Sequence, residues 1–100
     1  MKLKEGIKLN GVKPELLLAI FTAERIWLNF GLELVVTEVT GGKHGRGSLH
    51  YAGLACDLRT RYFKDEDEKL EVKNLLAEAL GENYDVILEP THIHVEFQPK

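Results

Sequence analysis

Two short stretches carry side chains able to do chemistry. In "GSLHYAGLACDL", residues 47–58, His50 and Asp57 stand on either side of a run of mostly small and apolar residues. In "LEPTHIHVEF", residues 88–97, His92 and His94 flank a single isoleucine. Imidazole nitrogen and carboxylate oxygen both bind zinc well, and two histidines with one aspartate leave a fourth position for water, as catalytic zinc sites do. Alternation along a strand turns His92, His94 and Glu96 the same way. It likewise puts Gly53, Ala55 and Asp57 on one face of their segment, with Leu54, Cys56 and Leu58 on the other. If the two segments are neighbouring strands, His50, Asp57 and one histidine of the pair can converge. The competing reading is plainer: a lone histidine is more often a surface or hydrogen-bonded residue than a ligand. Cys56 faces away from the expected cluster and reads as a small buried apolar side chain, not a fourth ligand. His44, among glycines, reads as solvent-exposed.

The elements that must position these groups follow from periodicity. Pro14 suits the first turn of a helix, and Leu16, Ala19, Ile20, Ala23, Trp27 and Phe30 then recur at helical spacing up to a stop at Gly31. "LELVVTEV" (32–39) is rich in β-branched residues and predicts a strand. "TGGKHGRGS" (40–48) must be a loop, and "GLACDLR" (53–59) a short buried strand. Asp65 or Asp67 caps a second helix running to Leu80, with Val72, Leu75, Leu76 and Ala79 facing inward. "YDVILE" (84–89) and "HIHVEF" (92–97) form two strands joined through Pro90 and Thr91 as an antiparallel hairpin. The order α-β-β-α-β-β predicts one α+β domain over residues 1–100, a small antiparallel sheet with two main helices packed against it.

Composition narrows the function classes. A net charge of −3 with basic residues scattered along the chain gives no support to nucleic-acid binding. The acidic run "KDEDEKLE" (64–71) reads as a solvated helix start, where carboxylates favour the positive end of the dipole. A single cysteine excludes an intrachain disulfide. No apolar run reaches the roughly 18 residues of a membrane span, so no membrane insertion is expected. The N-terminus "MKLKEGIKLNGVKPE" lacks the apolar stretch of a secretory signal, which predicts synthesis in the cytoplasm.

Ser48-Leu49-His50-Tyr51-Ala52-Gly53-Leu54-Ala55-Cys56-Asp57 resembles the S-x-H-x-x-G-x-A-x-D signature of the zinc D-alanyl-D-alanine peptidases. It is more similar still to the equivalent segment of the hedgehog signalling domain, which shares their fold. "HIHV" matches the H-x-H strand from which that superfamily draws its third zinc ligand, and "VVTEVTGG" resembles the strand and turn before the loop. The resemblance spans roughly residues 12–97, with two motifs in the right order.

The resemblance implies a hedgehog/DD-peptidase-like fold and His50, Asp57 and His94 as ligands to Zn2+. The alternative third ligand is His92, because Glu89 precedes it with the E-x-x-H spacing of the D-Ala-D-Ala dipeptidases. With His94 as ligand, His92 is free to hydrogen-bond the reacting oxygen, and Glu89 is the candidate general acid and base, with Glu96 the competing carboxylate at the margin. "TGGK" occupies the place of a Ser-Gly-x-Arg turn, so Lys43, with Arg46 second, is expected to meet a substrate carboxylate or developing oxyanion. Lysine there lacks the bidentate fork of arginine. Ser48 is expected to steady the loop. The implied activity is a zinc metallopeptidase hydrolysing D-alanine-containing bonds in stem peptides or cross-links of bacterial peptidoglycan, as a carboxypeptidase or an endolysin-type endopeptidase. The alternative is a hedgehog-like zinc module without turnover. The expected form is a monomer, like small phage lysis proteins of this fold, reaching the cell wall after release or as part of a virion.

Overall fold

Apolar spacing and local capping set both helices. The computed structural model describes residues 1–40 and 52–100. Helix α1 (Pro14–Asn29) starts on its proline and buries Leu16, Ala19, Ile20, Ala23 and Trp27, the stripe expected of it. Gly31 follows at φ +71°, a left-handed conformation that costs glycine little. Helix α2 (Glu66–Leu80) begins where the Asp65 carboxylate accepts the Glu68 backbone N–H at 2.8 Å. Glu66, Asp67 and Glu68 in its first turn favour the positive end of the dipole. Its buried stripe is narrower than the periodicity implies. Val72 and Leu76 are enclosed, whereas Leu75 is 42% exposed and Ala79 lies open. A single sheet face beneath α2 leaves no second layer to cover those positions.

The strands are β1 (Lys2–Leu3), β2 (Val35–Glu38), β3 (Ala55–Arg59), β4 (Tyr84–Leu88) and β5 (His92–Phe97). Their order across the sheet is β1-β2-β3-β5-β4. The fold is α+β with two helices, as expected, but the sheet is mixed, not wholly antiparallel. β1, at the edge of the sheet, pairs parallel to β2, held by Lys2 N–H to Leu34 C=O at 2.7 Å and Lys4 N–H to Val36 C=O at 2.9 Å. Two residues show too little alternation to be read as a strand; the pairing exists because β2 offers an open edge. β2 also starts later than its composition suggests, because the Leu32 N–H still bonds Trp27 C=O in the helix-terminating turn.

Gly53 lies in a turn before β3, not in the strand. Its φ is +75°, and a Cβ there would strike the carbonyl of Gly11, whose carbon would lie 2.8 Å away. The Lys13 N–H donates to Gly53 C=O at 3.0 Å, so the chain before α1 is seated on this turn. The turn and the alternation beyond it decide which way β3 faces. Cys56 and Leu58 enter the core with Val36, Ile93 and Val95 beneath α1 and α2. Asp57 and Arg59 consequently point to the other face, which carries no helix among the described residues.

Candidate functional site

Register brings the middle of the chain against its tail. β3 and β5 run antiparallel with Asp57 opposite His94, Arg59 opposite His92 and Ala55 opposite Glu96. All six lie on the helix-free face by strand alternation. His94 Nδ1 meets Asp57 Oδ1 at 2.9 Å, and His94 Nε2 meets Glu96 Oε1 at 2.9 Å. His92 Nε2 lies 3.7 Å from the same Asp57 oxygen, and its Nδ1 is 3.0 Å from Thr91 Oγ1. Two imidazoles thus approach one carboxylate oxygen. Asp57 itself is only 9% exposed.

That geometry sets the electrostatics. The hydrogen bond that His94 donates to Asp57 raises the histidine's pKa above the usual 6.5; burial opposes the rise, and Glu96 reinforces it. The His94 ring is held between two carboxylates. Glu96 is steadied in turn by Gln98, whose amide nitrogen, turned toward the site, donates to Glu96 Oε2 at 3.0 Å and to Asp85 Oδ2 at 2.8 Å. Cys56 is wholly enclosed on the opposite face, and burial pushes its thiol pKa far up, so it is no ligand to this cluster.

Four of the candidate side chains share the open face. Asp57, His92 and His94 meet as described. Glu89 follows β4, its N–H donating to His92 C=O at 2.8 Å, and continues the alternation of Asp85 and Ile87 on the same side. His50, Lys43, Arg46 and Ser48 lie outside the described residues, as does His44. Among the described residues, no three His, Cys, Asp or Glu side chains are arranged as a ready metal-binding group. Asp57 and His94 supply two donors, His92 stands farther off, and Glu96 occupies the far nitrogen of His94.

Two features escape the linear reading. Glu96 is not marginal: it holds the Nε2 of His94. The two-residue step from His94 to Glu96 on one strand face was the available signal. Basic residues scattered in sequence also gather in space. Lys4, Arg59, Arg61 and Lys69 line one cleft with Thr37, Pro90, Thr91 and His92. Nothing in the linear order announces this, because the four residues come from the end of β1, β3, the turn after it and α2. No protein-family model and no curated protein sequence matches this chain.

Proposed function

We propose that this chain is a zinc-dependent peptidase of the hedgehog/DD-peptidase type, hydrolysing D-alanine-containing peptide bonds of bacterial peptidoglycan. The observation that carries the reading is the direct opposition of Asp57 and His94 on an open sheet face, with His92 beside them. A carboxylate and neutral imidazoles suit zinc better than the harder divalent ions. His94 also has the support expected of a metal-binding histidine, since one nitrogen faces Asp57 while the other is held by the Glu96 carboxylate. His50, from the matching motif, completes the set in this reading, with His92 as the alternative donor. When bound, zinc supplies a Lewis acid that activates water and polarises the scissile carbonyl.

The remaining work falls to the chain's own residues. Glu89 takes the proton from water and returns it to the leaving amine. His92 hydrogen-bonds the reacting oxygen, and Thr91 at its Nδ1 fixes the ring. In this reading Lys43 and Arg46 are the partners of the substrate carboxylate, and Ser48 has a supporting role. Partners of other classes fit less well: among the described residues no helix is long and apolar enough to cross a membrane.

The test is zinc-loaded protein incubated with purified peptidoglycan, with soluble fragments followed by mass spectrometry. The expected result is cleavage that Glu89→Gln reduces by about 100-fold or more while zinc stays bound, the range of a lost general base. Tight zinc with no cleavage of any murein would instead identify a hedgehog-like module without turnover. Zinc affinity is expected to fall as pH drops from about 7.5 to 5, since histidine ligands must be deprotonated. A flat titration would refute histidine ligation.

A further inference from the structure

The helix-free face carries a second feature beside the Asp57–His94 pair. Lys4 and Thr37 lie level with Asp57, and the Arg59–His92 pair lies two residues farther along β3. Lys4 directly follows the Leu3–Val36 pair, Arg59 lies opposite His92, and the Thr37 hydroxyl bonds the Asp57 carbonyl at 3.3 Å. Together these four side chains form one wall. Arg61 and Lys69 close its side, giving a cleft of about 540 Å³ with no carboxylate in its lining. That volume lies within the usual range of ligand sites, about 300–1,000 Å³.

The charge in this cleft is unbalanced. The chain has 13 lysines and arginines against 16 acids, yet four of those cations line one cleft. Of these four cations only Lys69 is ion-paired among the described residues, with Glu66 at 2.9 Å, and that glutamate side chain is 80% exposed. Lys4, Arg59 and Arg61 make no ion pair there. Gathering like charges without counter-charges is unfavourable unless a ligand supplies them, and guanidinium forks match carboxylates in two-point contact.

We infer that this cleft is a carboxylate-binding subsite that seats an acidic segment of a peptide ligand alongside the Asp57, His92 and His94 face. An extended peptide on a helix-free sheet face places alternate side chains on one side, so acidic groups along it can reach Arg59 and Arg61 while its backbone passes His92. That this peptide is a substrate rests on the peptidase reading; the capture of its carboxylates does not.

NMR titration of the full chain at about 0.1 M salt, where screening extends over about 10 Å, tests the inference. The probes are acetyl-Ala-Glu-Glu-Ala-amide, its Gln-Gln counterpart and inorganic phosphate. The acidic peptide is expected to give saturable shifts at the amides of Thr37, Thr91 and His92. The glutamine peptide should bind about fivefold or more weakly, the effect of at least one screened ion pair. Arg59→Gln and the exposed Arg61→Gln should each weaken the acidic peptide by a similar factor and leave the glutamine peptide unchanged. Equal binding of the two peptides, or indifference to both arginine substitutions, would overturn the inference. Phosphate saturating the cleft without competition from the acidic peptide would overturn it in favour of a phosphate site. Acidic-peptide binding by zinc-loaded protein that cuts no murein would support the cleft while removing the peptidase reading. Murein cleavage with no preference for acidic peptides would do the reverse.

Discussion

The two faces of β3 and β5 differ completely in what they hold. Toward the helices, Cys56, Leu58, Ile93 and Val95 are almost wholly buried among apolar neighbours. One residue away on each strand, Asp57, Arg59, His92 and His94 turn to the other face, where Asp57, His92 and His94 meet through charge and hydrogen bonds. The two-residue period of a strand thus separates the groups that stabilise the fold from the groups available for chemistry. Substitutions on one face should change stability and spare the site, and those on the other should do the opposite.

The largest expected effect lies on the covered face. Leu58→Ala removes a fully buried side chain and should cost about 2–5 kcal/mol, a large part of the roughly 5–15 kcal/mol that holds a typical domain together. Urea unfolding measures it. A loss below about 1 kcal/mol would break the division between the faces by showing that this side is loosely packed.

Next comes Asp57→Asn on the open face, read by the His94 ring signals of metal-free protein. The titration midpoint should fall toward or below the ordinary 6.5, since the hydrogen bond to Asp57 is the leading cause of the upward shift. The linked effect on stability has a definite sign. A raised folded-state pKa contributes stability that is complete below the unfolded value of 6.5 and disappears as pH rises through the folded value. The coupling between Asp57 and His94 in a double-mutant cycle should therefore be larger near pH 6 than near pH 9. An unchanged midpoint in Asp57→Asn would mean the pair is not coupled in solution.

A smaller shift in the same direction is expected for Glu96→Gln, because Glu96 ranks behind Asp57 among the groups that raise His94. A shift larger than that of Asp57→Asn would reverse the order and make Glu96 the principal partner. The smallest effect is expected at Thr60, fully buried and the one residue with a buried side-chain oxygen that has no hydrogen-bond partner among the described residues. Thr60→Val should leave stability within about 1 kcal/mol of the parent or raise it, because no hydrogen bond is lost and an unsatisfied hydroxyl is removed. A clear destabilisation would reveal a partner for that hydroxyl.

Much of this was legible in the linear chain. The Pro14 start, the apolar stripe of α1 and the Asp65 cap are local, and periodicity within one helix encodes them directly. The same holds for the opposite facing of Cys56 and Asp57, which requires only that residues 55–59 be extended. The two-residue β1 was not legible, because parallel pairing with β2 joins segments more than thirty positions apart. Nor was the open position of Leu75, since periodicity shows which residues share a stripe but not how wide a stripe the neighbouring layer will cover.

The sequence by itself determined which side chains were available for chemistry and which shared a strand face, because both are properties of residue type and of a two-residue repeat. Only the tertiary structure decided that β3 lies beside β5, so that Asp57 meets His94 and Glu96 becomes that histidine's second partner. It alone decided that Lys4, Arg59, Arg61 and Lys69 share one cleft. Strand order and register arise from burying the faces of several elements at once, a free energy that belongs to the assembled core and not to any one segment.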